Sequence, residues 1–329
     1  MENKERLPSN KVIRSAYENH YKNGRQVIKV DLVSSTPKIR KMIAEYLVTY
    51  RTPTGEVKKE SLIGKVYSNV QKGIDSYQFL KYLWENGFRS NPQFTVVRPI
   101  AYLKKWGLMI MSKSPGKTVD DWMYDPKVDN KQLASLIAYW MSQMHAIPLT
   151  EIRKKSQTRA NSDIRRFYED LEKCIPKEQS RLRELYHHFM KESGRLNTDK
   201  EVLLHGDFHT KNVFMHKDQV IAIDFDHHFD GDPAWDVAYF ACQIQVSSFI
   251  KKGDFDFFQP MVKHFITKYL ELNPSYNRQA FLNRLALYSA RSLFESLHYE
   301  LCVLNTGKFH IVDAFLSKCE QYLQRSGYQ

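Results

Sequence analysis

With 329 residues, of which 42% are apolar and 13% aromatic, the chain is long enough to pack two lobes around one cleft, and its composition is that of an ordinary globular protein. No stretch approaches the roughly 20 uninterrupted apolar residues of a membrane span, and the opening MENKERLPSNK lacks the apolar stretch of a signal peptide, so a cytoplasmic protein is expected. The formal net charge of +12 suits an anionic partner, but the basic residues are scattered, densest at 153–155 and 165–166, without an RNP, zinc-finger or basic-heptad pattern. Net charge alone does not choose among nucleic acid, an anionic membrane surface and an anionic substrate such as a nucleotide, but without those patterns nucleic acid is not expected. The four cysteines, Cys174, Cys242, Cys302 and Cys319, lie far apart with no CxxC pair and are read as buried thiols, not disulfides or metal ligands. Oligomeric state has no signature in the sequence.

Taken in chain order, a polar leading segment with room for a short helix precedes a β-type run at 26–32, which Ser34-Ser35-Thr36-Pro37 is expected to break. A second β-rich run at 39–50, the turn chemistry Thr52-Pro53-Thr54-Gly55 and a third run at 61–67 predict three antiparallel strands. Phe79, Leu80, Leu83 and Trp84 recur at helical spacing and predict a helix over 75–86, stopped by Gly87. Strands at 94–102 and 108–112 follow, ending in Lys113-Ser114-Pro115-Gly116, a hinge-like break. Beyond it the period becomes helical. Leu133, Leu136, Ile137, Trp140, Met141 and Met144 form one apolar stripe and predict a helix over 130–145; Ile164, Phe167, Tyr168 and Leu171 form another. A β-type island at 202–223 interrupts the helices, and 237–329 returns to long amphipathic segments. The expected organisation is an α+β fold with a small antiparallel β-rich lobe over 1–113 and a larger, mainly helical lobe over 114–329.

The stretch 202–240, VLLHGDFHTKNVFMHKDQVIAIDFDHHFDGDPAWDVAYF, carries more polar groups between apolar strands than a plain hairpin needs. The run 202–204 delivers His205-Gly206-Asp207 to a loop, Asn212 follows five residues later, and the run 220–223 delivers Asp224. Phosphoryl transfer needs such a set. A divalent cation must neutralise the triphosphate while an acceptor hydroxyl is held in line, and one amide plus one carboxylate suits magnesium. A further carboxylate, Asp207, would orient the hydroxyl and accept its proton.

Three blocks then resemble the aminoglycoside phosphotransferase and choline kinase group of the protein-kinase-like superfamily: HGDFHTKN at 205–212, IDFD at 223–226 and GDPAWD at 231–236. That resemblance implies a protein-kinase-like two-lobed fold and ATP- and magnesium-dependent phosphorylation of a small-molecule hydroxyl; the choice between ATP and GTP stays open. It implies Asp207 as catalytic base, Asn212 and Asp224 as magnesium ligands, and Asp236 as a brace for the catalytic loop. His205 and Asp226 are implied as supporting residues. In the first lobe it points to Lys65 for the α- and β-phosphates, to Ser34, Ser35 and Thr36 at the first strand turn as a phosphate cap, and to Ser112 and Ser114 at the hinge for the adenine. Two departures stand out: there is no glycine-rich loop between the first two strands, and the helix after Lys65 offers only Asp75, Ser76 or Gln78 where a glutamate partner is expected.

Two other classes compete. The histidines and aspartates of 205–228 have ligand types suited to a metal-dependent hydrolase, although no HxH or HExxH spacing is present and Asn212 has no role there. A nucleotide-binding pseudokinase would explain the missing glutamate. Asp224-Phe225-Asp226 runs almost directly into Gly231-Asp232-Pro233, leaving no room for the activation segment of a protein kinase. The acceptor stays open among amino alcohols, sugars, aminoglycoside-like compounds and other natural products. The segment 237–329 carries ten Lys or Arg against seven Asp or Glu, which does not favour a polycation.

Overall fold

The computed structural model describes residues 7–22, 24–38, 41–149, 157–194, 198 and 200–326. In chain order its principal elements are α1 (Asn10–His20), β1 (Gln26–Lys38), β2 (Lys41–Arg51), β3 (Val57–Tyr67), α2 (Val70–Leu83), β4 (Phe94–Val96), β5 (Pro99–Leu103), β6 (Leu108–Ser112) and β7 (Lys117–Thr118). They continue as α3 (Val119–Trp122), α4 (Asn130–His145), α5 (Gln157–Cys174), α6 (Gln179–Ser193), β8 (Val202–Leu204), β9 (Val213–His216), β10 (Gln219–Ala222) and β11 (Phe229–Gly231). Four long helices close the chain: α7 (Ala234–Lys252), α8 (Gln259–Leu272), α9 (Arg278–His298) and α10 (Val312–Ser326). The chain divides into two compact units, Met1–Lys117 with Phe214–Asp226, and Thr118–Val213 with His227–Gln329. The stretch 214–226 groups with the first unit. The cause is pairing: β10 runs parallel to β4, Val220 opposite Phe94, and so belongs with the first unit.

The first unit is built on a five-stranded antiparallel sheet of order β1-β2-β3-β6-β5. Alternate residues of β2, Met42, Ala44, Tyr46, Val48 and Tyr50, turn inward, as period-two patterning requires. They pack with Ile13 and Tyr17 of α1 and with Leu62, Leu108 and Ile110. Glu60 fastens α1 to the sheet by accepting from Tyr17 at 2.7 Å while pairing with Arg25 at 3.1 Å and with Arg98.

Two strand expectations need correction. The run Ser34-Ser35-Thr36-Pro37 does not end β1; it lies inside it, with Ser34 opposite Glu45 and Pro37 opposite Met42. A proline lacks one ladder donor, and β1 is an edge strand, where that loss is tolerated. The stretch 94–102 is two strands in different sheets, since β4 pairs with β10 and β5 with β6. The helix after β3 starts earlier than its apolar spacing indicates, because Asn69 caps it by accepting the Lys72 N–H, and it continues through a π-helical turn at Trp84–Phe88.

In the second unit α4 has the bounds that its apolar stripe predicts, with Asp129 capping the Lys131 and Gln132 N–H groups. The main core gathers Ile164, Phe167 and Leu171 of α5, Leu182, Leu185 and Phe189 of α6, and the inward faces of α7, α9 and α10. Helix α6 and strand β11 were not anticipated. Cys242 and Cys319 are buried, whereas Cys174 and Cys302 are half-buried with their sulfurs 2.7 Å apart; all four are free thiols. The basic cluster 153–155 lies outside the described residues. Among the described residues no helix is long and apolar enough to cross a membrane.

Candidate active site

In the second unit the sequence His205-Gly206-Asp207 leaves β8, whose Leu204 is paired with Phe229 of β11. Gly206 sits at φ +77°, and a Cβ there would stand 2.0 Å from the His227 carbonyl oxygen, so no side chain is accommodated. Phe208 then plugs the loop into the core, stacked on Trp140 of α4 at 5.1 Å and packed on Phe240 of α7 at 5.3 Å. Asp236, in the first turn of α7 and only 1% exposed, accepts the backbone N–H of His205 at 2.7 Å and of Gly206 at 2.9 Å. Bonds from N–H groups to a buried carboxylate are of the stronger kind and fix the backbone that presents Asp207.

Asp236 has a partner that sequence reasoning missed. His145, at the end of α4, places Nε2 3.3 Å from Asp236 Oδ2 and Nδ1 2.7 Å from the Tyr269 hydroxyl of α8. A carboxylate only accepts, so the Nε2 hydrogen points at Asp236. Beyond Asp207, the Asn212 side chain donates to the Asp207 carbonyl at 3.0 Å, and the Asn212 N–H donates to the His209 carbonyl at 2.9 Å. His209 Nε2 stands 3.8 Å from Asp207 Oδ2, and the Asp207 N–H lies 3.3 Å from His205 Nδ1. The Tyr239 phenol is held protonated well above its ordinary range by burial foremost and by its neighbours Asp207, to which it is hydrogen-bonded, and Glu295.

A second missed anchor is Asp120 of α3. It accepts from Ser247 at 2.7 Å, from Lys251 at 2.8 Å and from the Thr210 hydroxyl at 3.1 Å, while its own N–H donates to the Thr210 carbonyl. Burial acts to raise its carboxyl, yet the lysine and the two hydroxyls prevail and hold it below the usual range. The loop 205–212 is thus tied to α7 at one end and, near the other, to α3, whose Asp120 is in turn held by α7.

In the first unit Lys65 of β3, 3% exposed, lies 2.6 Å from Asp224 Oδ1 and contacts Asp226. Lys41, at the head of β2, takes Asp224 Oδ2 at 2.9 Å, and the Tyr67 hydroxyl donates to Asp226 Oδ1 at 2.6 Å. Burial would raise the Asp224 carboxyl, but the two ammonium groups outweigh it and push it far below the carboxylate range. Asp224 also sits at φ +64°, a conformation uncommon for a side chain other than asparagine, aspartate or glycine. The lysine therefore finds its carboxylates at Asp224 and Asp226; on α2, Asp75 accepts from Gln71 at 2.8 Å.

The other nucleotide candidates fare unevenly. Ser34, Ser35 and Thr36 are exposed residues inside β1, opposite Glu45, Ala44 and Ile43 of β2. At the hinge the Ser112 hydroxyl accepts the Arg98 N–H at 2.8 Å, the Ser112 N–H goes to the Arg98 carbonyl, and the Lys113 N–H goes to the Ser61 carbonyl. Ser112 is thereby engaged in the sheet. The Ser114 hydroxyl is exposed and turns to the Pro115 carbonyl at 3.3 Å. Among the described residues no three His, Cys, Asp or Glu side chains gather as a metal cage.

A sequence model of the phosphotransferase enzyme family, APH, matches residues 56–261, more than half of the chain. None of the curated proteins matches the sequence. Among solved structures, aminoglycoside phosphotransferase APH(2'')-Ib bound to ADP is similar over 95% of this chain and 99% of its own, at 13% identity and a TM-score of 0.56. Amicoumacin kinase hAmiN, in complex with AMP-PNP, Ca2+ and Ami, is similar over 98% of this chain and 95% of its own, at 16% identity and a TM-score of 0.61. Aminoglycoside phosphotransferase APH(4)-Ia follows over 97% and 98%, at 14% identity and a TM-score of 0.59. At such identities the likeness is one of fold, and the fold is the kinase-like α+β architecture expected from the sequence.

Proposed function

Because this chain belongs to the phosphotransferase enzyme family and is a small-molecule kinase, we propose that it transfers the terminal phosphoryl group of ATP, with magnesium, to a hydroxyl of a small molecule in the cytoplasm. The observation that supports the reading is the buried Lys65 held against Asp224 and Asp226 from a segment 159 residues away, which brings a lysine and the candidate metal ligand into one ion cluster. Each candidate donor is of the type magnesium takes. Asp224 offers carboxylate oxygen, and Asn212, whose amide nitrogen is engaged with the Asp207 carbonyl, offers amide oxygen; both are hard ligands. When bound, the metal supplies charge neutralisation on the phosphate oxygens.

The chain's own residues do the rest. Asp207 accepts a hydrogen bond from the acceptor hydroxyl and aims its oxygen at the γ-phosphorus. As the new P–O bond forms and the bond to ADP breaks, the hydroxyl proton passes to an Asp207 oxygen. Lys65 steadies the α- and β-phosphates, and Asp236 with His205 holds the loop that carries Asp207. Among solved neighbours, one APH(4)-Ia complex contains ADP and hygromycin B, and an APH(2")-IIa complex contains gentamicin. For this chain the acceptor class extends to amino alcohols, sugars, aminoglycoside-like compounds and other natural products, and GTP stands as the alternative donor.

The test is ADP release across a panel of hydroxyl compounds, with Asp207→Ala and Asp224→Ala alongside the wild type. Both variants should lose turnover, and Asp207→Ala should still bind nucleotide. Unchanged turnover in either removes the mechanism. One observation favours a second reading: the carboxylates that Lys65 meets are Asp224 and Asp226, as a protein that binds nucleotide without turning it over would allow. Nucleotide binding with no product across the whole panel would select it.

A further inference from the structure

Lys41 and Lys65 approach one carboxylate from its two oxygens, Lys41 at 2.9 Å from Oδ2 of Asp224 and Lys65 at 2.6 Å from Oδ1. They also project from the same face of the sheet. Ile43 stands opposite Lys65 across the β2–β3 ladder, and Lys41 is two residues before Ile43. The two lysines are nevertheless unequal. Lys65 is 3% exposed and is held by Asp226 as well, whereas the Lys41 side chain keeps 32% of its surface in solvent and reaches Asp226 only at 3.7 Å. A solvent-facing ion pair is weak and easily exchanged, and lysine carries its charge on a flexible four-carbon stem.

We propose that Lys41 is an exchangeable counter-ion: it neutralises Asp224 while no metal is bound and passes to the nucleotide's phosphate oxygens when a divalent cation takes Asp224. This rests on the reading of Asp224 as a metal ligand made above. The physical argument is competition. Two cations cannot share one carboxylate oxygen at full strength, so the arriving ion must displace the weaker-held ammonium group. The displaced group is then released beside the most negative ligand the site receives. Lys41 accordingly opposes the metal alone and favours the metal with its nucleotide. A residue that only supported the sheet would weaken both or affect neither.

The opposite signs make the test. Mn2+ serves as the metal probe, titrated by electron paramagnetic resonance without nucleotide; magnesium with AMP-PNP is titrated by calorimetry. In Lys41→Gln, Mn2+ should bind roughly twofold to fivefold more tightly, the range set by one partly exposed ion pair, and AMP-PNP roughly tenfold more weakly, as for one lost charge-assisted bond. Lys41→Arg should keep nucleotide affinity near that of the wild type and leave Mn2+ binding untightened. Asp224→Asn should abolish Mn2+ binding in either background. If the wild type binds both probes and Lys41→Gln moves Mn2+ affinity in no direction or downward, the exchange is wrong while the kinase reading stands. If the wild type binds neither probe, the kinase reading falls and the exchange with it.

Discussion

Replacing Asp236 removes the acceptor for two backbone N–H groups at once, those of His205 at 2.7 Å and Gly206 at 2.9 Å, at a position 1% exposed. Water has little access to repair the loss. A buried donor left unsatisfied costs about 1–3 kcal/mol, so Asp236→Ala should destabilise by about 4 kcal/mol from the two together. Asp236→Asn keeps the shape but turns one accepting oxygen into an amide N–H2 facing a donor, which should cost about 2–3 kcal/mol. At roughly 2–4 °C per kcal/mol for a unit of this size, the alanine variant should melt about 8–16 °C below the wild type and the asparagine variant between them. Differential scanning calorimetry and urea unfolding measure both. The activity of Asp236→Asn should fall further than its stability, because Asp207 hangs from the same backbone. An alanine variant melting within about 1 °C of the wild type would refute the reasoning.

Removing Lys65 as methionine leaves Asp224 and Asp226 with Lys41 as their cation and Tyr67 as a neutral donor, and breaking a buried pair from one side costs about 3–5 kcal/mol; a Lys65→Met, Asp226→Asn double variant should recover part of that in urea unfolding. Equal stability of the single variant and the wild type would show that Lys65 is already solvated. The acid response follows from Asp224, whose folded-state carboxyl lies far below the unfolded value near 3.8 because two ammonium groups outweigh its burial. A depressed carboxyl contributes stability that is complete above the unfolded value and is lost only as pH falls through the folded one, so the stability gap between wild type and Asp224→Asn should hold from about pH 7 to pH 5. A gap that closes within that window contradicts the ion cluster.

The site's sequence-local parts were legible because their geometry is set within short spans. A strand, His205-Gly206-Asp207 and the five-residue step to Asn212 need only one loop, and α4 carries its own apolar period and its Asp129 cap. What escaped depends on pairing across distance. Lys41 reads as an ordinary basic residue until β2 registers against β3 and its ammonium meets a carboxylate 183 residues away. His145 looks like a helix-end histidine until α8 brings Tyr269 to it and α7 brings Asp236. Asp120 was hidden for the same reason, since Ser247 and Lys251 arrive from α7. The error at Ser34-Ser35-Thr36-Pro37 was of another kind. Turn-type composition marks a break only where every ladder donor is needed, and β1 has a free edge. In the same way, one β-type run at 94–102 held two strands because Val97 and Arg98 pass from the β4 pairing to the β5 pairing.

The most direct test of phosphoryl transfer through Asp207 is the fate of the γ-phosphate. The wild type, given isotopically labelled ATP, magnesium and the acceptor panel, should yield one compound carrying the label on a hydroxyl oxygen, and Asp207→Ala should yield none while still binding AMP-PNP. Label appearing on an acceptor at an equal rate in both proteins would contradict the account.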